Sequence, residues 1–245
     1  MDWCYPRYIA HRGGGALAPE NTLAGIRLAA RMGFRTVEFD VMLSADGVPV
    51  LFHDETLDRT TGRHGKLAQQ NLVTLRNLDA SRNHHPAFAG EPIPTLAEAL
   101  AACRELALAA NIELKPGPGL DHATGVAVAR QVVESLRGSL QMSLLLSSFS
   151  EAALTAVRKT APEIPRALLV TSIPVDWQDR LRQLDCQALH CAADHFQPEK
   201  AAPVTAAGYP LACYTVNRQA AAEQLFAAGV SAIFTDRLDL FTAFP

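Results

Sequence analysis

Several polar residues sit where short apolar runs end, and their types suit acid–base, phosphate and metal chemistry. His11-Arg12-Gly13 follows the run Tyr8-Ile9-Ala10, and Glu38 and Asp40 alternate with Val37, Phe39 and Val41. Alternate strand residues point to one face, so the two carboxylates share one side and the apolar trio takes the other. The stretch Ile112-Glu113-Leu114-Lys115 repeats the pattern and puts Glu113 and Lys115 on a common face, while His53-Asp54 closes the run Val48 to Phe52. If these faces point inward, three carboxylates converge without enough basic partners. Buried like charges are costly unless neutralised. A divalent cation would neutralise them, and an all-oxygen donor set suits Mg²⁺ or Ca²⁺ better than zinc. For any single carboxylate the alternative is an ion pair with a nearby arginine or lysine.

His11 and His53 beside such a cluster suggest an acid and a base, because imidazole titrates near neutral pH. Arg12 offers a planar donor fork and Lys115 a point charge, both suited to phosphate. Gly13-Gly14-Gly15 reads either as backbone amides open to an anion or as a plain tight turn.

Placing these residues requires a regular succession of strands and helices. Apolar β-rich runs at Tyr8–Ala10, Thr36–Asp40, Ala109–Leu114, Met142–Ser147, Ala167–Val170, Ala188–His190, Leu211–Val216 and Ala232–Thr235 predict strands. Segments of helical spacing lie between them, among them Leu23–Met32, Thr124–Leu136, Glu151–Thr160 and Ala220–Ala228. Asn21-Thr22, Ser150 and Asn217 are predicted to cap helix starts, and Gly33 and Gly229 to end helices in a left-handed conformation. An open doubly wound sheet and a closed barrel both fit strands that alternate with helices. The count of eight, and the position of the polar residues at the C-terminal ends of strands, favour a TIM (βα)8 barrel. The 245 residues match the roughly 250 typical of that fold. Residues 43–96 break the period after the second strand and read as an insertion over the mouth, within a single barrel domain covering residues 1–245.

Composition narrows the function classes. A formal net charge of −3 argues against a nucleic-acid binder. No apolar stretch approaches the length of a membrane span, and the N-terminus lacks the features of a signal peptide. The five cysteines (Cys4, Cys103, Cys186, Cys191, Cys213) are scattered and odd in number, which suits packing residues in a reducing compartment, so a cytoplasmic location is expected. His64, His84, His85, His122 and His195 read as surface or packing residues. His190-Cys191 with His195 is a second, weaker metal candidate, and Phe149, Phe196 and Tyr214 are candidates to line the barrel mouth.

In chain order, His11-Arg12-Gly13, Pro19-Glu20-Asn21-Thr22, Glu38-Phe39-Asp40-Val41, His53-Asp54, Leu57-Asp58-Arg59-Thr60-Thr61, Glu113-Leu114-Lys115 and Thr215-Val216-Asn217 together resemble the glycerophosphodiester phosphodiesterase family, especially its short cytoplasmic bacterial members. The resemblance implies a TIM barrel with a small insertion after strand 2, and hydrolysis of a small glycerophosphodiester to sn-glycerol 3-phosphate and an alcohol. It implies that Glu38, Asp40 and Glu113 hold a divalent cation, that His11 and His53 are the acid–base pair, and that Arg12 and Lys115 contact phosphate. Tyr214 stands where relatives often carry tryptophan, and Thr235-Asp236 also fits the pattern. Three rival readings remain. A glycoside hydrolase would need paired carboxylates but no metal. A phosphodiesterase of intact lipids would need a docking loop or secretion signals. A non-catalytic phosphodiester-binding barrel would have a damaged site.

Overall fold

A computed structural model describes residues 6–137 and 142–241, so Cys4 lies outside the described residues. The strands are β1 (Tyr8–Ala10), β2 (Thr36–Leu43), β3 (Pro49–Leu51), β4 (Ala109–Leu114), β5 (Leu144–Ser148), β6 (Arg166–Val170), β7 (Ala188–Ala192), β8 (Leu211–Tyr214) and β9 (Ala232–Thr235). Among the described residues, eight of them run parallel, and β1 pairs with both β2 and β9. An open sheet would leave β1 with one neighbour, so the ring is closed and the TIM barrel is the fold. The ninth, β3, runs antiparallel to β2 and matches Val50 to Met42. This partner explains why β2 continues past Asp40 to Leu43.

The helices are α1 (Leu23–Arg31), α2 (Asp58–Thr61), α3 (Leu72–Arg76), α4 (Leu96–Glu105), α5 (Asp121–Leu136), α6 (Glu151–Thr160), α7 (Trp177–Leu184), α8 (Pro198–Ala206) and α9 (Gln219–Ala227). Local chemistry sets their ends. Thr22 accepts a hydrogen bond from the Gly25 amide to start α1, Ser150 does the same for Ala153 in α6, and Thr95 and Glu98 form a reciprocal capping box on α4. Gly33 and Gly229 take φ of 84° and 90°, as their positions after α1 and α9 predict. Asn217 departs from expectation: Arg218 occupies the N-cap of α9 without a side-chain cap. The Asn217 side chain turns to the end of β9 instead, where it donates to Asp236 and accepts from the Asp236 amide.

The alternation read from sequence holds on both faces. Val37, Phe39 and Val41 of β2 and Ile112 and Leu114 of β4 pack outward against Ile26, Leu96, Leu100 and Val128 of the surrounding helices. Each such side chain contributes about 1.5–3 kcal/mol on burial, and truncating the fully buried Leu100 to alanine should cost about 2–5 kcal/mol. Inside the barrel, Leu145, Ala167 and Ala188 form one small apolar layer, and Ile9, Ala212, Ala232 and Phe234 another. Residues 43–96 enclose a separate apolar cluster of Val50, Phe52, Leu57, Leu67, Leu75, Ala80 and Ile93, joined to the barrel through Met42. At the N-terminal end of the barrel, the fully buried Arg166 donates to the carbonyls of Ile164, Pro162 and Asp185 and to the Asp185 carboxylate.

Candidate metal centre and acid–base site

The inward faces turn polar toward the C-terminal ends of the strands. A cavity of 30 Å³ is lined by His11, Glu38, Asn111, Glu113, Ser147, Leu169, His190, Tyr214 and Phe234, contributed from every one of the eight parallel strands or its immediate end. Glu38 and Asp40 alternate along β2, and the parallel register sets Asp40 beside Glu113 of β4. One carboxylate oxygen from each of the three lies within 4.8 Å of the others. Glu38 and Asp40 are 2% and 1% exposed.

Their hydrogen bonds are incomplete in a way that suits a cation. The Arg12 amide donates to Glu38 Oε2 at 2.8 Å, whereas buried Glu38 Oε1 has no hydrogen-bond partner among the described residues. Asn21 holds Asp40 from two sides: its Nδ2 donates to Oδ2 at 2.8 Å, and its Oδ1 accepts from the Asp40 amide at 2.9 Å. Arg12 and Asn21 both adopt left-handed backbone, with φ of 48° and 57°, a strained conformation for residues with a Cβ. Burial pushes Glu38 well above the ordinary carboxylate range, and Asp40 and Glu113 push it further. Burial and then Asp40 raise Glu113 to about 7 against the opposing pull of Lys115. Three oxygen donors that repel one another, one of them orphaned, fit a hard divalent cation.

Two histidines flank this cluster, each oriented by a carboxylate. His11 Nδ1 meets Asp236 Oδ1 at 2.6 Å, which leaves Nε2 at 3.8 Å from Glu38 Oε2. His53 Nδ1 meets Asp54 Oδ1 at 2.6 Å, and its Nε2 accepts from Lys115 Nζ at 3.1 Å. Burial lowers the His53 pKa, and Arg12 and Lys115 add to that effect against Asp40 and Asp54. Burial acts to raise Asp54, yet Arg59 and His53 hold it at about 2, so it stays anionic beside its histidine.

The two cations both approach Asp40 of the cluster. Lys115 Nζ lies 3.4 Å from Glu113 Oε1 and 3.8 Å from Asp40 Oδ1, and Arg12 Nε lies 3.6 Å from Asp40 Oδ2. All seven residues singled out from sequence for catalysis, phosphate and metal therefore converge.

Other expectations resolve differently. The amides of Gly13, Gly14 and Gly15 donate to the carbonyls of Glu38, Arg12 and His11, so the run is a tight turn and not an open anion nest. A Cβ on Gly15, at φ 55°, would sit 2.3 Å from the Asp236 carbonyl oxygen. The missing side chain lets the loop carrying His11 pass against the end of β9 that carries Asp236. His190 points into the barrel and is fully buried, Cys191 packs outward with its Sγ 3.7 Å from Cys213 Sγ, and His195 is exposed; these residues do not assemble a second metal site. Among the described residues the carboxylate trio is the cluster with metal-ligand spacing. Phe149 is exposed at the rim, edge-on to Tyr214, and Phe196 lines a separate cavity between α8 and α9.

Glu20, Asp54, Arg59 and Asp236 fall within the sequence motifs without an assigned role, and Asn21, expected with Thr22 to cap α1, bonds Asp40 instead while Thr22 is the cap. Adjacency to a site residue or a strand end was a local signal for Asp54 and Asp236, and the sequence held none for Glu20 and Arg59. Asp236 directly follows β9, just as His11 directly follows β1.

Two openings border the site, one beside His11 and Arg12 and one beside His53 and Lys115. A groove of 570 Å³ is lined by His11, Arg12, Glu20, Asn217 and Asp236, and one of 360 Å³ by His53, Glu55, Lys115 and Asp121. Among the described residues no helix is long and apolar enough to cross a membrane.

Comparison with known proteins agrees with this geometry. The model of the glycerophosphoryl diester phosphodiesterase family matches residues 11–240. A glycerophosphodiester phosphodiesterase of Caldanaerobacter subterraneus subsp. tengcongensis is 34% identical over 233 residues, 93% of each chain. The structure of an Oleispira antarctica phosphodiesterase in complex with the product sn-glycerol-3-phosphate is 40% identical, with a TM-score of 0.91 over 95% of this chain and 93% of that one. A glycerophosphodiester phosphodiesterase from Agrobacterium tumefaciens is 29% identical, with a TM-score of 0.79 over 97% and 99% of the two chains. A family match over nearly the whole sequence, on a barrel whose mouth gathers the motif residues, establishes that this chain belongs to the glycerophosphoryl diester phosphodiesterase family.

Proposed function

We propose that the chain hydrolyses small glycerophosphodiesters to sn-glycerol 3-phosphate and an alcohol, using Mg²⁺ or Ca²⁺ held by Glu38, Asp40 and Glu113. The observation that carries this reading is the convergence of that buried trio with two carboxylate-oriented histidines at one mouth of the barrel. The catalytic unit is one barrel domain that includes residues 43–96. Four buried free cysteines, Cys103, Cys186, Cys191 and Cys213, support a reducing, cytoplasmic setting. The net charge of −3 is consistent with a small-molecule substrate and not a nucleic acid.

When bound, a divalent cation on these carboxylates supplies charge neutralisation at the phosphoryl oxygens and lowers the pKa of a nearby hydroxyl. The remaining work falls to the protein. Arg12 and Lys115 bind and orient the phosphate. The grooves on the His11 and His53 sides give the two ester arms separate exits. Asp236 and Asp54 fix each imidazole with Nδ1–H directed at a carboxylate, which leaves Nε2 of each for proton transfer. One histidine removes the proton from the attacking hydroxyl, and the other delivers a proton to the departing alcohol oxygen as its bond to phosphorus breaks.

No serine, threonine or cysteine forms a nucleophile motif in the sequence, so the substrate's own glycerol 2-hydroxyl is the proposed nucleophile. It is held two carbons from the esterified oxygen, and intramolecular attack of this kind gains up to about 7–11 kcal/mol from proximity. The cyclic phosphate that results is then opened by water. The test is a coupled assay for glycerol 3-phosphate, run beside a diester built on 1,3-propanediol. The glycerol substrate should turn over, while the propanediol analogue should bind competitively and turn over extremely slowly. Comparable kcat values for the two would eliminate the cyclic route.

A further inference from the structure

The stretch Leu57-Asp58-Arg59-Thr60-Thr61 lies in the insertion, away from the carboxylate trio, yet Arg59 reaches across the mouth. Its Nη1 and Nη2 donate to both oxygens of Glu20, each at 2.6 Å. Its Nε and Nη2 donate to both oxygens of Asp54, at 2.6 and 3.1 Å. Asp54 orients the His53 imidazole, and Glu20 Oε1 accepts from Arg12 Nη1 at 3.0 Å. One guanidinium thus joins His53 to Arg12 through two intervening carboxylates.

We infer that Arg59 is a positioning residue that sets His53 and Arg12 relative to each other by clamping Asp54 and Glu20, so that docking of the insertion completes the site; this rests on the hydrolytic reading above. The planar guanidinium fork is the group suited to gripping two carboxylates at once, and a lysine ammonium lacks the second arm. The backbone that carries it is anchored by buried neighbours. Leu57, Thr60 and Thr61 are buried, Thr61 Oγ1 donates to the Leu57 carbonyl at 2.7 Å, and Gly62 closes the turn at φ 68°. Burial acts to raise the Glu20 pKa, but the Arg59 hydrogen bonds and Arg12 bring it below its ordinary value, so the clamp stays charged. Without Arg59, two carboxylates would face each other across the mouth and both site residues would lose their supports. The arginine is itself 43% exposed, and exposed ion pairs add little to folding stability. Its geometry is therefore better accounted for by placement of the site than by holding the fold.

The experiment measures kcat, KM and melting temperature for the full chain with Mg²⁺, using glycerophosphoethanolamine as substrate. Arg59→Ala should lower kcat about 10–100-fold, the usual scale for loss of an orienting partner, and raise KM, with little change in melting temperature. Arg59→Lys should stay at least about 10-fold below the wild type, because it keeps the charge without the fork. Added guanidinium ion should restore part of the Arg59→Ala activity and none in the lysine variant. In a His53→Ala background, Arg59→Ala should cost clearly less kcat than it does in the wild type, because the part exerted through Asp54 and His53 is already gone and only the part exerted through Glu20 and Arg12 remains. Wild-type kcat and KM in Arg59→Ala, or a full multiplicative loss in the His53→Ala background, would overturn the inference. An active wild type with an unaffected Arg59→Ala would overturn this inference alone, whereas an inactive wild type would overturn the hydrolytic reading with it.

Discussion

The two ends of the barrel treat buried charge in opposite ways. At the N-terminal end, Arg166 is fully buried, and its terminal nitrogens donate to three carbonyls and the Asp185 carboxylate. At the C-terminal mouth, Glu38, Asp40 and Glu113 crowd together with Glu38 Oε1 unpartnered, and burial together with mutual repulsion raises Glu38 and Glu113. The base settles most of its charge within the protein, leaving Arg166 Nε without a hydrogen-bond partner among the described residues, and serves stability. On the proposed reading, the mouth leaves its charge for a divalent cation to neutralise. Barrels commonly divide labour in this way, with chemistry on the C-terminal face and stability on the other.

The comparison is most easily broken at the mouth. Glu113→Ala should abolish turnover, because it removes one of three donors for the cation, while the fold should melt no lower than the wild type without metal. Normal activity in this variant would remove Glu113 from the site. Next in size, His11→Ala and His53→Ala should each reduce kcat about 10²–10⁴-fold, the scale for positioned acid–base groups. Metal-induced stabilisation, followed by thermal melting, should persist in both variants. If either kept near-normal turnover, its orienting carboxylate would have a structural role only.

The base should show the reverse pattern. Arg166→Met strands the Ile164 and Pro162 carbonyls, whereas the Asp185 carbonyl keeps its bond from Gln187 Nε2; at about 1–3 kcal/mol each, the two predict a loss of roughly 3 kcal/mol. For a chain of this size that corresponds to a melting temperature lower by about 6–12 °C. Turnover measured well below that temperature should stay within about twofold of the wild type. A large loss of kcat in a still-folded variant would mean that the two ends are not separable.

A smaller effect is expected from pH in the metal-free protein. Folded Glu113 keeps its proton to about 7, against 4.5 as the ordinary value, so the folded state binds more protons than the unfolded state between these limits. Stability is therefore greatest below about 4.5 as far as this group is concerned, and falls as pH rises toward 7, by at most about 3 kcal/mol. Melting curves at pH 5 and pH 8 should show the fall in metal-free wild type and a shallower one in Glu113→Gln. An equal slope in both would show that Glu113 does not carry the strain.

Which parts of this contrast were legible in the sequence follows from the range of the interactions. Alternation along one strand put Glu38 and Asp40 on one face, and the same rule paired Glu113 with Lys115, so the mouth could be read from local pattern. The helix ends at Thr22, Ser150, Gly33 and Gly229 were equally local and appear as expected. Asn217 had the composition of a cap, but its side chain is taken by Asp236 and Thr235, residues that lie near it only after β8 and β9 pair. The Arg59 clamp spans 39 residues to Glu20 and depends on the insertion folding over the mouth, so no short spacing encodes it. Arg166 carried no signal in the sequence, because its carbonyl partners lie in the loops that precede β6 and β7.

The central claim is that the carboxylate trio is a cation site on which hydrolysis depends. The most direct measurement is release of glycerol 3-phosphate from a glycerophosphodiester before exhaustive chelation, after it, and after Mg²⁺ or Ca²⁺ is added back, with melting temperature followed in the same samples. Chelation should abolish turnover, and the added ion should restore it while raising the melting temperature of the wild type but not of Glu113→Ala. Full turnover after exhaustive chelation, or equal stabilisation of Glu113→Ala by the ion, would contradict the claim.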